Sequence, residues 1–198
     1  MKFSVSLSSV ISRWGLIGLA LVLFSGVVVF ASLRFVTSVV ANPRLQVDLS
    51  TIESAVSSFP NSAKLQARLA ARLIESSSEN AESHESMAER AFRHASRAVV
   101  LAPENYEYRL LLAAAAESRG EMQIAENALH EAIRLAPSDI NVRWQMANLL
   151  LRLGKIDQSL SEFRLVAAAD RLRLPIVMNL IWQATNGNLE MLERAIVS

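Results

Sequence analysis

Apolar residues follow two rhythms along this chain. From Trp14 to Leu33 they form an unbroken run of 20 uncharged residues, WGLIGLALVLFSGVVVFASL, with Arg13 before it and Arg34 after it. Beyond about residue 62 they recur every three or four positions, the period of an amphipathic helix. The first rhythm predicts a helix of about 30 Å, the thickness of a hydrocarbon core. Trp14 and Phe35 stand at its ends, where aromatic rings favour the membrane interface. A cleaved leader is the competing reading, but its apolar core is commonly about 7–15 residues. Candidate cleavage points follow Val29-Phe30-Ala31 and Val39-Val40-Ala41, the second standing before Asn42-Pro43, a poor context. An uncleaved anchor over 14–34 is therefore expected, after a short flank at 1–13. Residues 35–58 read as a juxtamembrane linker with a short helix, Ile52 and Val56 lying four apart.

The second rhythm repeats itself. Leu101-Ala102-Pro103 returns as Leu135-Ala136-Pro137, and Gly120 returns as Gly154, each 34 residues on. Between these marks the apolar positions switch phase at glycine. One helix is predicted from Tyr106 to Arg119, with Leu112, Ala113 and Ala116 on one side. A second runs from Glu121 to Leu135 with Ile124, Ala125, Ala128, Leu129, Ala132 and Ile133. Glycine ends a helix by entering the left-handed region, and proline stands just beyond a helix end. Weaker copies flank this pair. Upstream, helices are expected over about 62–75, with Leu65, Leu69 and Leu73 inward, and 86–101. A long polar connection over 76–85 separates them and lengthens this unit to 43 residues between Pro60 and Pro103. Downstream, Pro175 opens a helix, Asn186-Gly187-Asn188 makes a turn, and a partner starts at Leu189.

A period of 34 residues with paired helices resembles the tetratricopeptide repeat family. Its signature places read Arg109, Leu112-Ala113, Ala116, Ala125, Leu129 and Pro137 in one unit. In the next they read Arg143, Met146-Ala147, Leu150, Ser159, Phe163 and Arg171. The leading Trp is absent from both, and Arg171 replaces the closing Pro. The resemblance implies an all-α fold, an α-solenoid of about three to four helix pairs over 59–198 behind the transmembrane helix. It also implies that first helices line a concave, peptide-binding face. Carried over by position, that face would offer Lys64, Ala67 and Ala71, then Glu107, Leu110, Ala114 and Glu117, then Asn141, Trp144, Asn148 and Leu151. Trp144 could equally pack against a neighbouring helix. Leu110 and Trp144 stand where a clamp for a ligand carboxylate would need basic residues.

Composition narrows the chemistry. There is no cysteine, so disulfides and thiolate sites are excluded. Net charge is +1, which gives no general pull toward nucleic acid. Lys2, Arg13 and Arg34 are the only charges in 1–34, leaving the remainder slightly acidic. Positive-inside counting then puts the N-terminus in the cytoplasm and the repeats in the periplasm of a bacterial inner membrane. His84-Glu85 and His130-Glu131 open a zinc-protease pattern, but Ala88 and Arg134 hold the places of the second His. Glu121, Glu126 and Glu131 read as solvated surface charge. No phosphate loop or nucleophile motif occurs, so no enzyme, metal or cofactor is expected. The expectation is a membrane-anchored scaffold binding partner proteins, with lipid contact through 14–33. The alternative is an integral subunit of a membrane complex, packed through its transmembrane helix. Leu189, Leu192 and Ile196 would form an uncovered face on the terminal helix, a further partner surface.

Overall fold

The structure is a computed structural model that describes residues 22–27, 29–32, 38–42, 47–79, 84–185 and 187. From Leu49 the described chain is a succession of helices. They are α1 (Leu49–Ser58), α2 (Ala63–Glu79), α3 (His84–Leu101), α4 (Tyr106–Ser118), α5 (Met122–Leu135), α6 (Ile140–Arg152), α7 (Ile156–Ala169) and α8 (Leu174–Ala184). A 3-10 turn, Arg171–Arg173, leads into α8, where Pro175 occupies the first turn that tolerates a missing N–H.

The 34-residue period reappears as backbone chemistry. Asn105 caps α4 by accepting from the Glu107 N–H, and Asp139, 34 residues later, caps α6 by accepting from Asn141 and Val142. Gly120 and Gly154 close α4 and α6 at φ 77° and 71°. There the Glu121 N–H reaches Ala116 O and the Gly120 N–H reaches Glu117 O. The Lys155 and Gly154 amides repeat both bonds to Leu150 and Leu151. This Schellman arrangement uses the left-handed residue to satisfy carbonyls that the helix end would orphan.

Helices pack as pairs, α2 on α3, α4 on α5 and α6 on α7, with α3 on α4 and α5 on α6 joining one pair to the next. Three apolar clusters result. Ala91, Ala125 and Ser159 hold equivalent buried places on the three second helices, where a small side chain lets two helices approach. Ser159 offsets the burial of its hydroxyl by donating to Ala147 O at 2.8 Å. Each pair lacks enough apolar surface alone, and stacking makes the core continuous.

Three expectations change. The single-pass membrane localisation is corrected: among the described residues no helix is long and apolar enough to cross a membrane. Of the run 14–33, residues 22–27 and 29–32 are described and helical. The rest of that run, and with it most of the proposed transmembrane helix, lies outside the described residues. The described residues of the polar connection at 76–85 are helix instead, α2 running to Glu79 and α3 starting at His84. Serines there tolerate helix once Ser77 turns its hydroxyl onto Ile74 O, 2.8 Å away. Glu126 is buried rather than solvated, because Lys155 reaches across from the next repeat with Nζ at 2.6 and 2.7 Å from its two oxygens. The terminal residues Leu189, Leu192 and Ile196 lie outside the described residues.

Candidate functional site

Among the first helices, α2 meets α4 directly. On α2 the positions 64, 67, 68 and 71 fall on one stripe at helical spacing. Lys64, Ala67, Arg68 and Ala71 there form one wall of a groove of about 540 Å³. Glu107, Tyr108 and Leu111 of α4, with the cap residue Asn105, form the opposite wall. The two alanines keep the floor of the α2 wall low. A cationic Lys64 and an anionic Glu107 rise at its edge, both exposed. Tyr108 presents an aromatic body, and its phenol is pushed above the ordinary value by burial and then by the charge of Glu107. Ser38, Ala41 and Asn42 line the same groove from the segment ahead of the repeats.

The remaining sequence-predicted residues are distributed differently. Leu110 is half-buried and packs on the second apolar cluster, and Leu151 packs on the third. The Glu117 carboxylate accepts from Arg152 of the next first helix, which ties α4 to α6. Trp144 is half-buried and meets Phe163 edge-on, ring centroids 5.6 Å apart at 69°. The Arg173 guanidinium covers the Trp144 ring at 5.5 Å and donates to Asn141 Oδ1 at 2.8 Å. Asn148 turns its Nδ2 back onto Trp144 O, 2.7 Å away. Asn141 and Trp144 are therefore brought together by Arg173, and the amide of Asn148 is engaged by its own helix. Lys64 and Glu107 are brought together in the groove.

Arg68, Tyr108 and Leu111 were not singled out from sequence. Their signal was present: Arg68 lies four residues beyond Lys64 and Leu111 four beyond Glu107, the spacing that shares a helix face. The family alignment had instead favoured Leu110 and Ala114, a turn of the helix aimed partly at the core.

Two further junctions fix the pitch of this face. The Tyr106 hydroxyl donates to Asp139 Oδ2 at 3.0 Å, and this bond to the carboxylate, with its charge, raises the phenol pKa. Arg143 donates to Pro137 O at 3.0 Å and to Glu162 at 2.9 Å, fastening the start of α6 to α7.

The comparison with protein-family models gives no match, and neither does that with curated proteins. Solved structures do match. The chain superposes on MamA with a TM-score of 0.60 at 15% identity, over 74% of this chain and 76% of that one. On YrrB, described as a TPR protein with an unusual peptide-binding site, the TM-score is 0.56 at 19% identity over 74% of each chain. On TTC0263, a thermophilic TPR protein of Thermus thermophilus, it is 0.57 at 19% identity over 71% of each.

The fold is that of the tetratricopeptide repeat.

In tetratricopeptide terms, α2/α3, α4/α5 and α6/α7 are three full repeats, and α8 occupies the place of a fourth first helix. The groove between α2 and α4 is a surface of first helices, the type of surface that the sequence resemblance pointed to.

Proposed function

We propose that this chain is a protein-interaction scaffold that takes a peptide segment of a partner in the groove between α2 and α4. The observation that carries the reading is the wall chemistry. Small Ala67 and Ala71 leave room for a backbone, Tyr108 and Leu111 offer apolar contact, and Lys64 and Glu107 face solvent with opposite charge. Recognition sites combine an apolar or aromatic anchor with a few placed polar groups. The peptide-binding site named for the similar YrrB structure lends the reading a precedent on the same fold. Asn141, Trp144, Asn148 and Leu151 extend the proposed surface toward the third repeat, with Trp144 as a stiffening element beneath it.

A photoreactive benzoylphenylalanine placed at Lys64, and separately at Val100, tests this. Val100 is 69% exposed on a second helix, away from the groove. Crosslinks to one defined partner from position 64, absent from position 100 and lost when Ala67→Trp fills the groove, support the reading. Crosslinking that is equal at both positions, or indifferent to Ala67→Trp, defeats it.

A further inference from the structure

The repeats supply two walls of the groove, and the third comes from ahead of them. Residues 38–40 form a turn of helix, and the Asn42 N–H donates to Val39 O at 3.1 Å where it ends. Ser38, Ala41 and Asn42 stand at i, i+3 and i+4, the spacing that shares one side of a helical turn, and all three line the groove. Val40 takes another side. It packs half-buried on the first apolar cluster and lines no part of the groove. The wall is thus fastened to the core from behind and meets the groove with small and polar side chains.

The charges of the groove are unequal. Lys64 and Arg68, one turn apart on α2, put two cations on one wall, and Glu107 on α4 supplies a single anion. Lys64 is exposed and stands in no ion pair among the described residues. From position 64 to position 71 the stripe is about 10 Å long at ~1.5 Å per residue, room for about three residues of an extended segment. It runs on past the cations to Ala71, so the occupant's chain has space beyond its charged residue.

We propose that residues 38–42 are a working wall of the peptide site, and that the site takes a segment with an acidic residue between small ones, its side-chain carboxylate held by Lys64 and Arg68. This rests on the groove reading above and names its partner class. The carboxylate meets paired cations in a groove where Glu107 offsets only one of them. Small neighbours suit a space bordered by Ala67 and Ala71 on one wall and Ala41 on another. The binding unit therefore begins ahead of the repeats, at residue 38.

The test uses the full chain and two rhodamine-labelled peptides, Gly-Ala-Glu-Ala-Gly and Gly-Ala-Gln-Ala-Gly, both amidated so that the only carboxylate is the Glu side chain. Each is titrated with protein to millimolar concentration at low salt and read by anisotropy. Charge at position 38 is then varied with Ser38→Lys and Ser38→Glu. Val100→Lys and Val100→Glu make the same changes on an exposed second-helix position away from the groove. Circular dichroism establishes that each variant retains its helical content. The Glu peptide is expected to bind at least about fivefold more tightly than the Gln peptide, a preference lost in Lys64→Gln. Ser38→Lys should tighten the Glu peptide about threefold and Ser38→Glu weaken it about threefold, the size of an exposed charge pair, with no change from position 100. A wall that only props the fold cannot produce opposite signs from these two changes. Equal binding of the two peptides, or charges at position 38 that act no differently from those at position 100, overturns the proposal. No binding of the Glu peptide overturns it as well, and the crosslinks from position 64 then decide the groove separately.

Discussion

The first and third repeats fill the same pair of helices differently, and the difference lies in the second helix. In α2/α3 the bulk comes from the first helix, Leu65, Leu69 and Leu73, and the second helix offers the alanines 88, 91, 95 and 98. In α6/α7 the first helix again brings bulk, Val142, Met146, Leu149 and Leu150, but the second adds Phe163, fully buried where the first repeat has Ala95; the family-equivalent residue between them is Leu129. The repeat fixes where the helices lie and leaves open which of them fills the space between. The consequence reaches the surface. Alanines along α2 leave its outer stripe low and open, the groove, whereas Trp144 and Arg173 stack over the third repeat and close it.

The largest test of that contrast is Phe163→Ala. Removing a fully buried ring from a packed cluster costs about 3–5 kcal/mol. Because a repeat contacts only its neighbours, the loss should be local. Native-state hydrogen exchange is expected to show α6 and α7 amides losing protection while α2 and α3 keep theirs. Uniform loss along the array would show that the repeats do not differ as separable units.

A smaller effect separates the turns. Gly154→Ala forces a Cβ into the left-handed region, which costs about 1–2 kcal/mol, while the space around it is open. Gly120→Ala should match it, since both glycines hold the same Schellman geometry. Urea midpoints measure both. A large mismatch between them would mean that the two turns are not equivalent, whatever their sequence spacing says.

Those turns were legible beforehand because glycine and proline carry their meaning locally. The spacing of Gly120 to Gly154 and Pro103 to Pro137 gave the period, and the observed helix ends lie within a few residues of the predicted ones. Long-range partners were not legible. Glu126 reads as surface charge in any local window, and only the arrival of Lys155 from the next repeat makes its burial tolerable. The serines at 76–78 read as a loop by composition, yet α2 passes through them, packed along α3. On the groove face, Lys64 and Glu107 came from alignment with a family. Tyr108 and Leu111 were hidden because the alignment placed α4 a partial turn away from its true facing. The segment at 38–42 had no periodic signal, since the packing of Val40 and Ala41 depends on a cluster made by residues far along the chain.

The smallest expected effect belongs to the first repeat, at a place where the third repeat has an ion pair instead, Arg143 donating to Pro137 O and to Glu162. Gln66, buried on α2, donates from Nε2 to Pro60 O at 2.8 Å, which turns its Oε1 toward His94 Nδ1 at 2.7 Å. His94 therefore carries its proton on Nδ1. Burial holds its pKa below the ordinary value of 6.5, helped by the charges of Arg90 and Arg93 and opposed by Glu53. Glu53 is itself paired with Arg90. The neutral ring is thus favoured in the folded chain, and the unfolded chain binds the proton more readily. The stabilisation is complete above about pH 6.5 and is lost as pH falls through that value toward and past the folded pKa. Asp48, whose carboxylate is held below its ordinary 3.8 by hydrogen bonds from Ser50, titrates in a separate and more acidic window. Urea midpoints at pH 7.5 and pH 5.5 are expected to differ less in His94→Asn than in the wild-type chain. The wild-type decline should also show first in the exchange rates of α2 and α3. An unchanged pH slope in the variant would assign the decline to other groups and leave the first repeat with no acid sensitivity of its own.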